Sequence, residues 1–333
     1  MRVNAYCSHR HYADHLLPVL AGLPELVRGS LYCATDELAK QLRVRGDRAS
    51  ILGPREFRVR PMPPDEAVMV AGFIDLRMMR GRPICLMEHG AGQRYEGVRD
   101  GSYAGGRGRD RVSLFLCPND QVAQANRDRY PQANAVTVGS PRLDVLWKAR
   151  AEFSRHRDGH RVAVSFHWPC PLVPEAGSAW DAFRPDVIRL AANSTYQLLG
   201  HGHPRLWSRI QKWWERLGVE QVQEWISVVR RADIYVCDNS STMFEACALD
   251  LPVVVLNSPD YRRGVEHGLR FWDHAGMGPE VSPGGNLDRA LQVAKSFTEQ
   301  RQKAASAAYA VLPDGSGEAT ARAVEAVMKW AAN

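Results

Sequence analysis

Histidines and hydroxyls stand where this sequence can most easily do chemistry. The segment ICLMEHGAGQRY, residues 84–95, runs as an apolar strand into His89 and Gly90 and then into a glycine-rich turn. An imidazole at a strand's carboxyl end, with an ordinary pKa of about 6.5, suits a general base that takes a proton from a hydroxyl. The plainer alternative is a loop histidine that only packs. The segment LLGHGHPRL, residues 198–206, ends a strand in two histidines and opens a helix at Pro204. His203 could donate to a diphosphate oxygen there, or serve as an ordinary polar residue at a helix start.

The longest informative segment is DIYVCDNSSTMFEACALDLPVVVLN, residues 233–257. A buried strand ends at Asp238, and Asn239, Ser240, Ser241 and Thr242 then open a helix. Unpaired amides and the positive dipole end of a helix start favour phosphate, and hydroxyls add donors. Glu245, one turn in, could accept from ribose hydroxyls. A capping box, Thr242-x-x-Glu245, explains the same residues without a ligand. In YCSHRHYADH, residues 6–15, Cys7, His9, His11 and His15 invite a metal reading. Arg10 interrupts the group and no matching ligand set stands out, so the expectation is no metal. Instead His9 and His11, with Arg94, are expected to touch the acceptor or phosphate.

Missing motifs narrow the field. The sequence has no GxxxxGK[ST], no GxGxxG after its first strand, no GxSxG and no HExxH. Kinase, nicotinamide and serine-hydrolase chemistry therefore lose their usual anchors. No DxD-type pair follows a strand, so a metal-chelated nucleotide sugar is not indicated. The consistent expectation is a metal-free site in which a helix dipole and side-chain donors stabilise a departing diphosphate.

Such residues need strand ends to hold them. Short apolar runs alternate with helical stretches throughout, the pattern of parallel α/β units. Strands are predicted at 3–7, 30–34, 67–71, 84–88, 114–117 and 135–138, with helices at 16–27 and 120–129. A polar stretch at 148–161 reads as the domain boundary. A second series follows, with strands at 162–166, 195–199, 233–237 and 253–256. Its helices are predicted at 180–192, 206–217, 222–231, 241–249, 287–311 and 317–330. The expectation is an α/β protein of two Rossmann-like domains, 1–150 on the acceptor side and 151–333 on the nucleotide-donor side. The two would face each other across a cleft, with the last helix free to cross back. Ligands in such sheets sit at the carboxyl ends of strands, where these motifs fall.

The 333 residues are 45% hydrophobic and 24% charged, which excludes a disordered chain and a fibre. No apolar run reaches the roughly 18 residues of a membrane span. No secretory signal is seen at the start, so a cytoplasmic protein is expected. Seven scattered cysteines without a CxxC pair fit free thiols. Lys and Arg number 43 against 37 Asp and Glu. That excess fits either a solvated surface or an anionic partner: nucleotide phosphates, nucleic acid, or a membrane surface touched peripherally. The densest stretch, Arg94, Arg99, Arg107, Arg109 and Arg111, reads as a mobile basic loop.

Taken in order, these segments resemble the CDP-glycerol glycerophosphotransferase family, the teichoic-acid primases and polymerases. The matching order is YADH at 12–15, EHG at 88–90, VGSPRLDVL at 138–146, GHP at 202–204, the 233–257 segment, MGPEVSP at 277–283 and DGSGEATARAVEAV at 314–327. The resemblance implies a GT-B fold. It implies His89 as catalytic base, His203 and the paired Ser240 and Ser241 on the donor diphosphate, and Glu245 at the family's acidic position. Gly139 and Arg142 join the donor side, with Arg142 and Asp144 matching a PR-x-D linker motif that is partly structural. The chain departs from the family at Ser8-His9-Arg10-His11, at Glu88, at Ala91-Gly92-Gln93-Arg94 and at Ser165-Phe166-His167-Trp168-Pro169.

The resulting expectation is a metal-independent transferase without a bound cofactor. It would move a glycosyl or glycerophosphoryl group from a nucleotide-diphosphate-activated donor, its co-substrate, to a hydroxyl of a glycan or polyol phosphate. Two alternatives stay open. One is a viral-type glycosyltransferase that modifies a hydroxymethylated base in DNA. The other is a nucleotide-sugar epimerase, which would need further carboxylates, with Glu96 and Asp100 the nearest in sequence.

Overall fold

The computed structural model describes residues 1–44, 49–91, 108–155, 157–169, 178–238, 240–258, 277–296, 304–305 and 308–332. Two units emerge: one gathers described residues from 1–92, 100–144 and 312–333, the other from 145–311. The expected boundary at residue 150 thus falls at Asp144–Val145. The polar stretch expected to be a linker lies largely in the helix Asp144–Arg155.

Among the described residues, the first unit carries a seven-stranded sheet. Its strands are β1 (Val3–Cys7), β2 (Arg28–Cys33), β3 (Ser50–Leu52), β4 (Ala67–Val70), β5 (Ile84–Met87), β6 (Val112–Cys117) and β7 (Asn134–Thr137). Their order is β3-β2-β1-β4-β5-β6-β7 and every pairing is parallel. Strands β1, β4 and β5 are buried along their whole length, which is why β4 and β5 read as unbroken apolar runs and β1 departs from one only at Asn4. One face packs under the helix Arg10–Gly22 through Leu16 and Leu20; the other gathers Val68, Leu86 and Phe115.

The chain's last helix, Ala319–Ala332, belongs to this first unit. The Asp144 carboxylate accepts from the Ala319 amide at 3.0 Å and the Thr320 amide at 2.7 Å. A carboxylate supplied from far along the chain thus caps the helix start. The Arg322 guanidinium donates to the Val138 carbonyl at 3.1 and 2.9 Å, and Trp330 Nε1 donates to Ser113 Oγ at 3.0 Å. The PR-x-D segment is therefore a structural joint.

The second unit carries β8 (Arg161–Ser165), β9 (Gln197–Gly200), β10 (Glu220–Gln221), β11 (Ile234–Cys237), β12 (Val253–Leu256) and β13 (Glu280–Val281). Among the described residues they form a parallel sheet ordered β10-β9-β8-β11-β12-β13. Its core is heavily aromatic, with Phe166, Phe183, Trp213 and Trp214 buried together.

Three edge strands, β3, β10 and β13, are two or three residues long and lie beyond the sequence expectation. The first helix starts at Arg10 and ends at Gly22, not 16–27, because its first turn is polar and shows no apolar stripe. The helix expected at 222–231 is Trp225–Arg231, and of that expected at 287–311 the stretch Leu287–Ser296 is helical, residues 297–303 lying outside the described residues.

Candidate functional site

Both sheets reverse their strand order once, between β1 and β4 in the first unit and between β8 and β11 in the second. Crevices at the carboxyl ends of strands flanking such reversals are where open α/β sheets bind ligands. Strand β1 delivers Ser8, His9 and His11, and β5 delivers His89. Strand β8 delivers Ser165, His167 and Trp168, β9 delivers His201 and His203, and β11 delivers Asp238, Ser240 and Ser241.

In the first unit, the rings of His9, His11 and His89 lie around Tyr12, and His15 lies against His89. The His11 and Tyr12 centroids are 4.1 Å apart, Tyr12 and His89 5.2 Å, His15 and His89 6.0 Å, and His9 and Tyr12 5.5 Å. Gly72, at the end of β4, leaves room for this ring: a Cβ there would lie 2.4 Å from Tyr12 Cε2. His89 is exposed to solvent, yet desolvation by the protein packed around it lowers its pKa. The Glu88 charge and a hydrogen bond with the Ala71 backbone oppose that lowering, while Arg142 and Arg109 add to it. That lowering favours the neutral imidazole, the form a proton acceptor needs. His15 is buried, and its Nδ1 has no hydrogen-bond partner. Burial, then the Arg142 charge, hold its pKa well below the ordinary imidazole range.

Two carboxylates adjoin this group, and both are withdrawn from solvent. Glu88 accepts from Arg109 Nη1 at 2.6 Å and Nη2 at 2.9 Å, with both side chains about 6% exposed. Asn126 Nδ2 reaches the same carboxylate at 3.4 Å. Glu88 therefore anchors the segment before β6. Asp75 is fully buried and accepts from the Ser8 amide at 3.0 Å; burial raises its pKa and the Ser8 hydrogen bonds pull it back. Ser8 Oγ lies 2.7 Å from His9 Nδ1.

The basic loop needs correction at its described end. Arg109 is buried on Glu88, which takes it out of the basic surface, while Arg111 stays exposed and donates to the Met79 and Leu76 carbonyls. Arg94, Glu96, Arg99, Asp100 and Arg107 lie outside the described residues, as does Asn239.

In the second unit, the Asp238 carboxylate accepts from the His167 amide at 2.7 Å and the Ala179 amide at 2.9 Å. Burial pushes its pKa up to about 7 against these hydrogen bonds. It thereby ties the segment after β8 to the end of β11. The Arg205 amide donates to His203 Nδ1 at 3.1 Å, which puts a neutral ring's proton on Nε2 as a donor. His167 and Trp168 lie 5.0 and 5.9 Å from His203, and the Arg205 guanidinium lies 4.5 Å from the Trp168 centroid.

Ser240 and Ser241 are partly exposed, at the mouth of β11. The helix that follows, Thr242–Ala248, has seven residues, and its N-cap Ser241 makes no side-chain cap bond. Thr242 Oγ1 lies 2.7 Å from both Tyr235 Oη and Ser240 Oγ, so the expected Thr242–Glu245 capping box is replaced by a hydroxyl cluster. Glu245 is 1% exposed, which withdraws its carboxylate from the ribose contact expected of it. Gly139 and Arg142, expected on the donor side, belong to the first unit. Gly139 adopts φ 88° and donates to the Cys117 carbonyl at 3.2 Å, turning the chain out of β7.

Asp75, Ser165, His201 and Tyr235 join these groups without having been singled out. Ser165 and His201 lie at or just past the carboxyl end of a strand, whereas Tyr235 sits near the start of β11 and Asp75 inside the helix Phe73–Met78, where no local pattern marks them. The described residues hold no group of three or more His, Cys, Asp or Glu arranged to hold a metal ion, and no helix among them is long and apolar enough to cross a membrane. The described cysteines are free thiols, with Cys7 and Cys33 Sγ 4.0 Å apart on neighbouring strands.

No family model matches the chain. No curated protein matches it in sequence. Solved structures do match over nearly its whole length. One is a UDP-GlcNAc 2-epimerase from Neisseria meningitidis bound to UDP-GlcNAc, at 14% identity and TM-score 0.57, covering 99% of this chain and 100% of that one. A UDP-N-acetylglucosamine 2-epimerase from Rickettsia bellii matches at 12% identity and TM-score 0.62, covering 99% and 96%. The wall teichoic acid polymerase TagF matches at 12% identity and TM-score 0.63, covering 98% and 89%. At such identities the likeness is one of architecture, and with the two parallel sheets described above it establishes that this chain has the GT-B fold.

Proposed function

We propose that this protein is a GT-B transferase that moves a glycosyl or glycerophosphoryl group from a nucleotide-diphosphate donor to an acceptor hydroxyl without a metal. His89 takes the acceptor proton. His203, through Nε2–H, and the hydroxyls of Ser240 and Ser241 bind the donor phosphates and stabilise the charge that develops on the leaving group. The seven-residue helix after Ser241 leaves most of this work to side chains. In glycosyl transfer the leaving group is a nucleoside diphosphate. In glycerophosphoryl transfer from CDP-glycerol it is CMP, with the new bond formed at the β-phosphorus.

The observation that carries this reading is the exposed imidazole of His89 at the end of β5, set against the rings of Tyr12 and His15. An epimerase is the second reading, favoured by the fold shared with two UDP-sugar epimerases. It asks for carboxylates at the sugar. Among the described residues around His89, Glu88 is locked to Arg109 and Asp75 is fully buried, which supports transfer over epimerisation. The viral-type DNA reading loses Arg109 from its basic loop, since that side chain is buried on Glu88.

A panel of CDP-glycerol, UDP-sugars and GDP-sugars tests the proposal, each incubated with and without a glycan, a polyol phosphate or hydroxymethylated DNA. The reading requires acceptor-dependent release of nucleoside mono- or diphosphate. Conversion of a UDP-sugar to its epimer without acceptor would establish the other activity. Turnover only with duplex, falling steeply with salt, would point to DNA.

A further inference from the structure

The donor contacts proposed in the second unit, His203 and the hydroxyls of Ser240 and Ser241, bring hydrogen-bond donors but, with His203 neutral, no formal positive charge. A nucleoside diphosphate carries several negative charges, and without a metal their neutralisation falls to side chains. One guanidinium stands where it can supply this. Arg205 follows His203 by two residues, and its amide donates to His203 Nδ1 at 3.1 Å. Its guanidinium carbon lies 4.5 Å from the centroid of the Trp168 ring. Trp168 in turn lies 5.9 Å from the His203 ring, so imidazole and guanidinium meet on one indole.

Two backbone ties fix the segment that carries Trp168 against the one that carries Arg205. The His203 amide donates to the Phe166 carbonyl at 2.9 Å, and the Asp238 carboxylate accepts from the His167 amide at 2.7 Å. Trp168 is partly buried against the aromatic core, while Arg205 is exposed. Among the described residues no carboxylate lies within ion-pair distance of Arg205. An arginine paired with an acid has its charge offset and its forked N–H groups occupied. One stacked on an indole keeps both, and has given up part of its side-chain freedom beforehand. That is the state in which a guanidinium best receives a phosphate.

We infer that Arg205, stacked on Trp168, is a cationic ligand of the donor phosphates beside His203, and that Trp168 is the residue that positions it. The inference rests on the reading of His203 as a donor-phosphate ligand and adds the charge that this site otherwise lacks. Arg205 acts on the phosphate end alone, so it selects phosphorylated over unphosphorylated nucleosides. The indole comes from residues 165–169, one of the segments where the chain departs from the family it resembles.

The test is isothermal titration of the full chain, in EDTA, with CDP, UDP and GDP and with the matching nucleosides. The variants are Arg205→Ala, Trp168→Phe, Trp168→Leu, His203→Ala and the double variant Trp168→Leu/Arg205→Ala. For whichever nucleoside diphosphate the wild type binds, Arg205→Ala should weaken binding roughly 10- to 100-fold, the worth of hydrogen bonds to a charged group, and leave nucleoside binding unchanged. The affinity that remains should fall less steeply with added salt than that of the wild type. Trp168→Leu should weaken diphosphate binding about two- to fivefold, and Trp168→Phe, which keeps an aromatic face, should restore most of it. In the Arg205→Ala background Trp168→Leu should cost nothing more, because the indole acts through the guanidinium. Wild-type diphosphate affinity in Arg205→Ala, with His203→Ala weakened, would overturn the inference and leave the donor site standing. An equal loss for nucleosides in Arg205→Ala would do the same. A Trp168→Leu loss that persists in the Arg205→Ala background would overturn the positioning role of Trp168. Wild-type affinity in His203→Ala, or no nucleoside diphosphate bound by the wild type, would overturn the donor reading and the inference together.

Discussion

A histidine accepts a proton only in its neutral form, and His89 reaches neutrality by two opposed influences. Lost hydration lowers its pKa, and the neighbouring Glu88 charge and the Ala71 backbone hold that fall in check. Arg109 matters here indirectly, because its bidentate grip on Glu88 keeps that carboxylate from competing for the substrate. The acid limb of kcat/KM should therefore fall below the ordinary imidazole value of about 6.5, with a plateau above it. A pH–rate profile measured from pH 5 to 9 checks this; an acid limb above that value would assign the titration to another group. His89 itself was legible in the sequence, since a histidine followed by glycine at a strand's end is a local pattern. The Glu88–Arg109 pair was not, because its partners are 21 residues apart and meet only when β5 and β6 pair. Asp75 and Tyr235 were hidden for the same reason: their chemistry comes from what packs beside them.

At the scale of elements, the site depends on strands whose ends are fixed from outside the sheet. The long buried strands were readable as apolar runs because helices cover both faces. The short edge strands β3, β10 and β13 carry too few residues to show a period. The start of the helix Arg10–Gly22 was masked by histidines that serve the putting-together of the ring cluster, not the core. Asp144 is the clearest case of an outside fixing point, because it caps the distant helix Ala319–Ala332 through two amides. Replacing Asp144 with Ala removes that cap and should lower unfolding free energy by about 1–2 kcal/mol. Chemical denaturation measures this, and turnover per folded molecule should stay within about twofold of wild type. A large loss of turnover in a fully folded Asp144→Ala protein would assign the residue to the chemistry instead.

For the whole molecule, both GT-B units place their polar side chains at the carboxyl ends of strands flanking an order reversal. The division into units is legible in the sequence as two α/β series. The return of the last helix to the first unit is decided by Asp144, Arg322 and Trp330, which no local pattern reveals. The buried histidines also shape the molecule's stability. With its folded pKa depressed, His15 excludes a proton that the unfolded chain binds below about pH 6.5. Its contribution is therefore complete above that pH and declines as pH falls, by up to about 1.4 kcal/mol per pH unit. Asp238, with its folded pKa raised to about 7, works in the opposite sense, favouring the folded state as pH falls from 7 toward the unfolded carboxyl value. Comparing wild type with His15→Leu separates the two. The drop in Tm between pH 7.5 and pH 5.5 should be smaller in the variant, and an equal drop would remove His15 from the account.

The most direct measurement is donor binding and donor turnover determined side by side for His89→Ala. A base that acts only on the acceptor leaves the nucleotide site intact. The variant should bind nucleoside diphosphate with wild-type affinity while acceptor-dependent turnover falls by about 10²–10⁴-fold. Turnover within about twofold of wild type would contradict the assignment of His89 as the base, and with it the mechanism built on that residue.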